Sequence, residues 1–340
     1  MKIFFIQKIL ILIATIFFVS CKNFSSIQET SNLDSAESLK VLSWNAQTFF
    51  DSVTDGKEYS EFIKSKTWCK DFYIERLKRL VKVLKASSAD VIILQEIENE
   101  GVMHDINNFL ALEWNFKKNY SYAAFSKDAS SSIGCGIFSR YPLKDMKVHS
   151  VKIDNNYKEM PSLRPLSQIS VYKNNRELVI LVNHWKSKSG GEEESEIWRN
   201  WQEKLLSGLV KEIEGKGKKV LCAGDFNRDI NDFCDDQNGS FILRDCLLTV
   251  EGDFSSCSGN KIYSAWYSQE NLCTTGSYFF NDQWQKIDNF FAGEGVSFSS
   301  FEVLTQGDWC DAQTLIPYKY QLWNGSGYSD HLPILSTVHF

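Results

Sequence analysis

The sequence predicts an α/β fold in which mixed β-sheets are covered by helices, and three observations support this prediction. Short apolar runs, which indicate strands, outnumber the amphipathic stretches that indicate helices. A strand, a helix and a second strand follow one another between residues 39 and 94, as in a helical crossover. A hairpin turn over residues 173–176 separates two further strands. Because hairpins pair strands antiparallel and crossovers pair them parallel, the sheets are expected to be mixed.

The first predicted elements form the strand–helix–strand unit. Leu39–Ala46 alternates and indicates a strand. Residues 71–85 place apolar side chains at helical spacing with Arg and Lys between them, which predicts an amphipathic helix capped by Asp71. Asp90–Leu94 is an apolar run bounded by polar residues, which predicts a buried strand.

The later elements repeat this alternation of strands and helices. A second amphipathic helix is predicted over residues 192–214, because its apolar side chains recur on one face. The remaining strands are predicted at residues 134–139, 167–172, 178–182, 220–223, 286–292 and 332–339.

The N-terminus predicts the compartment. Residues 1–20 have the charged, apolar and small-residue regions of a secretory signal. The tetrapeptide Phe18-Val19-Ser20-Cys21 resembles a bacterial lipobox, which implies a lipid on Cys21; ordinary signal cleavage and an uncleaved anchor are the alternatives. Residues 21–38 are polar and predict a flexible tether, followed by one domain over residues 39–340. The protein is therefore expected outside the cytoplasm, anchored to a membrane as a lipoprotein or secreted.

Net charge and cysteine usage exclude some classes of protein. The net charge of −6 disfavours broad, charge-driven binding of nucleic acid but leaves room for a local basic groove. Candidates for such a groove are Lys186 with Lys188, and Arg140 with Lys144.

Cys21 is accompanied by eight other cysteines, none in a C-x-x-C pair, which argues against a zinc ribbon or a thioredoxin-type site. Cys135 and Cys222 lie in apolar runs and are expected to be buried thiols. The cysteines between Cys234 and Cys310 form the better disulfide pool.

The stretch Gly224-Asp225-Phe226-Asn227 is the clearest indication of a site. It ends an apolar strand, and the alternation of a strand directs Asp225 and Asn227 to the same side. The alternative is a strand followed by a polar turn, because Gly, Asp and Asn are common turn residues. Other predicted strands also end or begin at an acid, an amide or a histidine. These polar residues are Asn45, Glu96, His184, Asp225, Asn227, Asp288, Asp330 and His331.

Such a set of side chains favours one class of chemistry. Carboxylate and amide oxygens suit hard cations, so Mg²⁺ is the expected cofactor, with Mn²⁺ or Ca²⁺ as alternatives. Zn²⁺ is disfavoured because the chain has no H-E-x-x-H motif and no Cys/His cluster. Two histidines supply proton transfer near neutral pH. The predicted reaction is metal-assisted hydrolysis of a phosphate ester by an activated water.

The motifs, taken in order, resemble one family. They are Ser43-Trp44-Asn45, Gln95-Glu96, residues 137–142, Arg164-Pro165, residues 183–188, residues 224–227, residues 286–289 and residues 329–333. In this order the chain resembles the endonuclease/exonuclease/phosphatase superfamily, which has the deoxyribonuclease I-like fold. The resemblance implies a four-layer α/β sandwich of two packed mixed β-sheets flanked by helices, with residues 39–340 as the catalytic domain.

The resemblance also implies the metal ligands and the group that activates water. Glu96 would be the main metal ligand with Asn45 beside it, and Asp330 would contribute to a metal site. Asp225 would orient or deprotonate the attacking water. Some relatives, among them the abasic-site repair nucleases, carry an acid two residues after the first-motif Asn. Gln47 stands there in this chain, so a ligand from that position is in doubt.

Proton transfer and phosphate binding are implied in the same way. His331 would be the acid/base histidine, oriented by Asp288. His184 would bond the phosphate or the leaving group. Asn227 and Arg164 would contact the scissile phosphate.

The substrate class expected from this resemblance is nucleic acid. Residues 183–191, followed by a helix that carries Arg199, look like the corresponding segment of bacterial extracellular nucleases. Lys186 would lie where a nucleic-acid backbone runs. The alternatives are a lipid-headgroup phosphodiesterase or phosphatase, such as a sphingomyelinase or a phosphoinositide phosphatase, and a catalytically inactive surface binding protein. No protein partner is evident, and a monomer is expected. The aromatic segment 278–284 could stack bases or lie in the core, and the core is the favoured interpretation.

Overall fold

Two large β-sheets occupy the centre of the computed structural model. The structure describes residues 36–113, 120–153, 161–245, 259–268, 273 and 275–340. The helices of this part are α1 Ser60–Lys64, α2 Lys70–Ser87, α3 Glu100–Glu113 and α4 Glu192–Gly215. The strands are β1 Ser38–Phe49, β2 Val91–Ile97, β3 Tyr122–Ser126, β4 Gly134–Ser139, β5 Leu143–His149, β6 Leu166–Lys173, β7 Arg176–His184, β8 Lys219–Asp225, β9 Cys234–Gln237, β10 Ser240–Arg244, β11 Gly259–Ser264, β12 Tyr278–Phe280, β13 Gln283–Gln285, β14 Asp288–Ala292, β15 Ser297–Val303 and β16 Ile334–His339.

Both sheets are mixed, as predicted. The six-stranded sheet has the order β15-β16-β1-β2-β4-β3, and the eight-stranded sheet has the order β5-β6-β7-β8-β14-β11-β10-β9. Each contains one parallel pair, β1 with β2 and β7 with β8, produced by a helical crossover. Strands β12 and β13 form a separate hairpin.

The two sheets pack face to face and helices cover their outer faces. One apolar cluster joins the facing sides of the sheets and continues to α2 and α3 beyond the six-stranded sheet. A second cluster packs α4 on the outer face of the eight-stranded sheet. The layers are therefore helices, sheet, sheet and helix, which confirms the predicted four-layer sandwich.

The alternation along the strands decides which side chains point between the sheets. In β7, Leu178, Ile180 and Val182 belong to the central cluster, whereas Val179 and Leu181 pack under α4. Strands β8 and β14 divide their side chains in the same way. Side chains that continue the inner parity beyond the apolar run therefore enter the space between the two sheets.

Local predictions are confirmed with one correction. Asn174 and Asn175 connect β6 and β7 with φ of 47° and 67°, the left-handed conformation that two-residue hairpin turns require. The prediction that Asp71 caps α2 is wrong, because the N-cap is Cys69 and Asp71 lies in the first helical turn. In that position its negative charge still interacts favourably with the positive end of the helix dipole.

The cysteines divide by environment. Cys135 and Cys222 are buried thiols, as predicted, and burial raises the pKa of Cys135 to about 12. Cys234 is disulfide-bonded. Cys273 and Cys310 are free thiols, so the prediction that they belong to the disulfide-forming cysteines is wrong.

Residues 36–340 form one compact unit. The predicted signal over residues 1–20, the lipid site at Cys21 and most of the tether lie outside the described residues and stay predictions. Among the helices described, none combines the length and the apolarity needed to cross a bilayer.

Candidate active site

Three predicted site residues form a row at one end of the eight-stranded sheet. His184 pairs with Asp225 in the parallel β7–β8 register, and Asp225 pairs with Asp288 in the antiparallel β8–β14 register. All three continue the inner parity of their strands and are buried. Regular strand pairing alone therefore brings these side chains together between the sheets.

Gly224 allows the row to form. Its φ is 134°, and a Cβ at this position would lie 2.0 Å from the Asn183 carbonyl oxygen. Only glycine permits that approach of β8 to β7. Phe226, buried on the other side, packs against Trp185 with ring centroids 5.0 Å apart and anchors the segment that carries Asp225 and Asn227. Trp185 belongs to the apolar cluster under α4 and is a packing residue.

The six-stranded sheet presents Asn45 and Glu96 from irregular backbone. The β1–β2 register shifts between Asn45 and Phe49, and the β2–β4 register shifts between Gln95 and Ile97. Glu96 has a φ of 64°, an unusual conformation for this residue type. The Thr48 N–H donates to Glu96 Oε2 at 2.5 Å and holds the carboxylate. Such strain at a bulge is typical of functional sites.

Asn45 joins the two sheets. Its Nδ2 donates to Glu96 Oε1 at 3.2 Å and to Asp225 Oδ2 at 3.0 Å. Its Oδ1 accepts the Gln47 N–H at 2.9 Å, which determines the orientation of the carboxamide. In this orientation Asn45 holds two carboxylates together through its amide protons. Its expected contribution as a metal ligand stays a prediction.

His331 and Asp288 form a buried pair. His331 Nδ1 lies 2.8 Å from Asp288 Oδ2. Burial lowers the pKa of His331, but the charge and hydrogen bond of Asp288, together with the charges of Asp225 and Asp330, outweigh this and raise the pKa to about 10. The histidine is therefore an imidazolium at neutral pH. Asp288 occupies Nδ1, so Nε2 is the nitrogen that remains to give up a proton.

His184 is held in the opposite protonation state. Burial and the positive charge of Arg164 lower its pKa, although Glu96 opposes them. Its Nε2 lies 3.5 Å from Glu96 Oε1 and 3.8 Å from Asp225 Oδ2. Its Nδ1 is buried without a hydrogen-bond partner among the described residues. A neutral histidine is suited to hydrogen bonding with a phosphate oxygen.

Asp225 accepts several hydrogen bonds and still has a raised pKa. Asn227 donates to it through its backbone N–H at 2.8 Å and through Nδ2 at 3.1 Å. Burial is the main cause of the raised pKa, followed by the nearby charge of Asp288, and both outweigh the positive charge of His331. A more basic carboxylate is a better acceptor for a proton from water.

Comparison with known proteins agrees with this geometry. A model of the Endonuclease/Exonuclease/phosphatase family matches residues 40–339. The chain belongs to this family. Its members are metal-dependent phosphodiester hydrolases. A search of curated protein sequences found no match.

Solved structures of family members share the fold at low sequence identity. A family protein from Bacteroides thetaiotaomicron is 14% identical with a TM-score of 0.54, over 90% of this chain and 98% of that one. Truncated TDP2 from Caenorhabditis elegans is 16% identical with a TM-score of 0.54, over 89% of this chain and 97% of that one. D. rerio TDP2, solved in complex with a single-strand DNA product, is 15% identical with a TM-score of 0.52, over 89% of this chain and 99% of that one.

The family's requirement for a divalent metal fits the oxygen donors present. Burial raises the pKa of Glu96, but the hydrogen bond with His184, the charge of Arg164 and the Thr48 N–H lower it overall, so this carboxylate is ionised. Asp330 is close enough that the charge of Glu96 raises its pKa, in addition to burial. Two neighbouring carboxylates that repel each other offer a place for a hard cation.

A second acidic set is less suited to the ion. One ligand atom from each of Asp225, Asp288 and His331 lies within 4.8 Å of the others. However, His331 Nδ1 already bonds Asp288, and an imidazolium has no lone pair to offer a cation. The assignment of the metal to Glu96 and Asp330, which the family resemblance implies, stays a prediction.

The predicted basic residues divide between the site and the framework. Arg164 Nη1 donates to the Trp185 carbonyl at 3.0 Å, beside the site. Lys186 Nζ donates to the Ser187 carbonyl at 3.0 Å. Lys188 forms an ion pair with Glu192. The other candidate pair is structural: Arg140 pairs with Asp90 at 3.3 Å, and Lys144 lies 4.9 Å over the ring of Tyr172.

Gln47 has a function that sequence reasoning missed. Its Oε1 accepts the N–H groups of Tyr320 at 2.8 Å and Asp330 at 3.0 Å, and its Nε2 donates to the Tyr320 carbonyl at 3.2 Å. The amide therefore fastens the segment of Asp330 and His331 to the end of β1. A carboxylate could accept the two N–H groups but could not donate to the carbonyl.

Arg76 of α2 stabilises the bulged end of β1. This buried guanidinium donates to the carbonyls of Ala46 and Thr48, each at 3.0 Å, and also to that of Gln47. Its signal in the sequence was a charged residue on the apolar face of the predicted helix, since Tyr73 and Leu80 flank it at helical spacing.

The aromatic segment after residue 277 is only partly core, which corrects the favoured interpretation. Trp284 packs against the central cluster. Tyr278, however, lies against His331 with centroids 4.7 Å apart, and the ring of Phe280 stacks on Tyr278 at an interplanar angle of 17°. Phe280 is 52% exposed. The two rings form a short stack that leads from His331 to the surface.

Proposed function

We propose that this protein is a divalent-metal-dependent endonuclease that hydrolyses phosphodiester bonds of DNA or RNA. It acts as a monomer outside the cytoplasm, secreted or tethered by a lipid on Cys21. The observation that supports the chemistry is the meeting of His331, Asp225 and Glu96 at the joined ends of the two sheets, with one histidine charged and one carboxylate made basic.

The proton transfers follow from this arrangement. A water proton passes to Asp225 as the water oxygen bonds to phosphorus. The bond from phosphorus to the leaving oxygen breaks, and His331 gives its Nε2 proton to that oxygen. Asp288 keeps the imidazolium oriented through the 2.8 Å contact with Nδ1.

The remaining residues hold the substrate and the metal. His184, neutral and 3.5 Å from Glu96, is positioned to bond a non-bridging phosphate oxygen. Glu96 and Asp330 would hold Mg²⁺, which when bound polarises a phosphoryl oxygen and neutralises developing charge. Arg164 adds positive charge on the side of the Trp185 carbonyl.

The aromatic stack supports nucleic acid as the substrate. Exposed rings beside a phosphate-hydrolysing centre suit bases, because every base offers a π-face and stacking contributes about 1–3 kcal/mol per base. The D. rerio TDP2 structure with single-strand DNA product is consistent with this proposal. A lipid-headgroup phosphodiesterase is the alternative, since Phe280 lies on a hairpin. Exposed Asn281 and Asp282 follow it at the tip, however, and a charged tip disfavours insertion into a bilayer.

A substrate panel with one variant tests the proposal. The purified protein is incubated with plasmid DNA, RNA, sphingomyelin and phosphoinositides, in Mg²⁺ or in EDTA. We expect nucleic-acid cleavage in Mg²⁺ only, and His331→Ala should lower its rate by on the order of 10²–10⁴-fold because the general acid is lost.

The matched control is His104→Ala, which removes an exposed histidine of α3. It should cleave like the wild type. Cleavage restricted to a lipid would replace the proposal with the phosphodiesterase alternative, and cleavage of no substrate would favour an inactive binding protein.

A further inference from the structure

A buried arginine follows the site residue Asn227 in the chain and takes no part in the proposed proton transfers. Arg228 is 1% exposed, and its side chain reaches α4 on the outer face of the eight-stranded sheet. Burying a guanidinium costs free energy unless carboxylates and hydrogen bonds compensate its charge. The contacts that Arg228 makes therefore show which part of the molecule it stabilises.

Three side chains of α4 bind this guanidinium. Arg228 Nη1 donates to the fully buried Glu203, and Nη2 donates to Asn200 Oδ1 at 2.6 Å. Nη2 also lies 2.6 Å from Glu196 Oε1. Because two of these three partners are carboxylates, the charge of Arg228 is compensated on α4 and not at the catalytic centre.

The guanidinium also contacts aromatic rings beside the site. Its Cζ lies 5.3 Å from the ring centroid of Trp185 and 5.4 Å from that of Phe233. The Trp185 carbonyl in turn accepts from Asn227 Nδ2 at 3.1 Å. Arg228 is therefore connected to Asn227 twice, through the peptide bond between them and through the residue whose carbonyl binds the Asn227 carboxamide.

Asn227 depends on its neighbours because its backbone adopts the less common left-handed conformation, with a φ of 48°. On the N-terminal side, Phe226 is buried and its N–H donates to the Ile287 carbonyl at 2.9 Å. On the C-terminal side, Arg228 is bound to α4. Because both neighbours are fixed, the Asn227 carboxamide stays beside Asp225, to which its Nδ2 donates at 3.1 Å.

Helix α4 binds the segment after β7 in the same way. The Lys186 N–H donates to Gln202 Oε1 at 2.8 Å, and Arg199 Nη1 donates to the Lys186 carbonyl at 3.2 Å. Residues 185–186 and 227–228 therefore share one support, the buried polar face of α4. This face is formed by Arg199, Asn200, Gln202 and Glu203.

We propose that Arg228 is a positioning residue, whose attachment to Glu203 and Asn200 of α4 sets where the Asn227 carboxamide meets the scissile phosphate. The inference rests on the proposed function, in which that phosphate lies beside Asp225 and Asn227. It extends the functional part of the molecule to a helix face that touches no substrate. Loss of the Arg228 contacts should therefore lower the rate although no reacting group is changed.

A matched pair of variants separates positioning from a purely structural role. Glu203 also accepts from Arg244 of β10, through Nε at 3.0 Å and Nη2 at 2.7 Å. Arg228→Met and Arg244→Met each remove one guanidinium from the same carboxylate, but only Arg228 is joined to Asn227. The kcat and KM in Mg²⁺ are measured for plasmid DNA and for bis(p-nitrophenyl) phosphate, a small diester. Urea unfolding shows that each variant is folded under the assay conditions.

We expect Arg228→Met to lower kcat about tenfold to a hundredfold on both substrates, because a small displacement of a positioned group has an effect of this size. The KM should change less than about threefold, since the groups that bind the substrate are all retained. Arg244→Met should keep kcat within about threefold of the wild type. Arg228→Lys keeps the charge and one donor for Glu203, so it should recover part of the lost rate.

The outcomes separate this inference from the function on which it rests. If Arg228→Met lowers kcat no more than Arg244→Met does, the arginine is structural only and the inference is overturned, while the nuclease function stands. If Arg228→Met does not fold, the comparison of Arg228→Lys with Arg244→Lys decides in the same way. Hydrolysis of the small diester without cleavage of nucleic acid would overturn the nuclease function alone, and hydrolysis of neither by the wild type would overturn both.

Discussion

The two sheets present their site residues in different ways. The eight-stranded sheet delivers His184, Asp225 and Asp288 by regular pairing and strict alternation. The six-stranded sheet delivers Asn45 and Glu96 from shifted registers, with Glu96 in a left-handed conformation. The first group is positioned by the strands themselves, whereas the second depends on further hydrogen bonds at the bulge, made by Thr48, Gln47 and Arg76.

This difference indicates where each half of the site is vulnerable. In the regular row, strand pairing alone is sufficient to position the side chains. A damaging change must therefore alter the reacting group or the close contact of the strands. In the bulged half the backbone is held by Gln47 and Arg76, so changes away from the chemistry should also matter.

The largest expected effect concerns the regular row. Asp225→Asn keeps the shape and the strand pairing but removes the proposed base. We expect kcat on plasmid DNA to fall on the order of 10²–10⁴-fold because the proposed base is lost. The free energy of unfolding should fall by only about 1–2 kcal/mol, because the strands hold the row and the new amide mismatches only the Asn45 and Asn227 donors. Urea unfolding and initial rates measure the two quantities. A large loss of stability would show that the row depends on this side chain.

Gly224→Ala tests whether the same row depends on the close backbone approach of β8 to β7. The new Cβ would meet the Asn183 carbonyl oxygen at 2.0 Å while φ is 134°, so we expect a loss of about 3 kcal/mol in the free energy of unfolding. Urea denaturation provides the measurement.

The control for that variant is Gly217→Ala, where φ is 69° and nothing lies within 4 Å of the added Cβ. It isolates the cost of the left-handed conformation, which is about 1 kcal/mol. If both variants lose the same amount, the approach of β8 to β7 is not the constraint we infer.

The smallest expected effect concerns the bulged half. Gln47→Glu retains acceptors for the Tyr320 and Asp330 N–H groups but turns a carboxylate toward the Tyr320 carbonyl. We expect a loss of about 1–2 kcal/mol in stability, because a buried acceptor loses its donor. The rate of DNA cleavage in Mg²⁺ should also fall, because the segment that carries Asp330 and His331 is held less firmly in position.

Gln237→Glu, at an exposed position on β9, is the matched change of charge and should stay within about 0.5 kcal/mol of the wild type. A faster Gln47→Glu variant would instead indicate that an acid at this position joins the metal site, as in some relatives.

The comparison of the sheets also explains what could be predicted. The strands ending at His184 and Asp225 were evident because their apolar runs stop at a polar residue of the correct parity. Helix α3 was not predicted, although Val102, Ile106 and Leu110 recur at helical spacing. The bulge that turns Glu96 leaves no pattern in the sequence, because register shifts depend on the partner strand.

The functions of Gln47, Arg76 and Phe280 show the same limit. Gln47 was notable only for the acid it lacks, yet its partner Tyr320 lies 273 positions away in the chain. Phe280 belongs to an apolar segment whose exposure is decided by where the hairpin lies relative to His331.

By itself, the sequence determined the alternation of strands and helices, the polar residues at strand ends and the resemblance to a phosphoesterase family. These follow from local chain geometry, since periodicity and parity are properties of neighbouring residues. Only the tertiary structure decided that Asn45 bonds Asp225 across 180 positions and that one histidine is charged while the other is neutral. Sheet packing sets those contacts, because burial and nearby charges act through space and not along the chain.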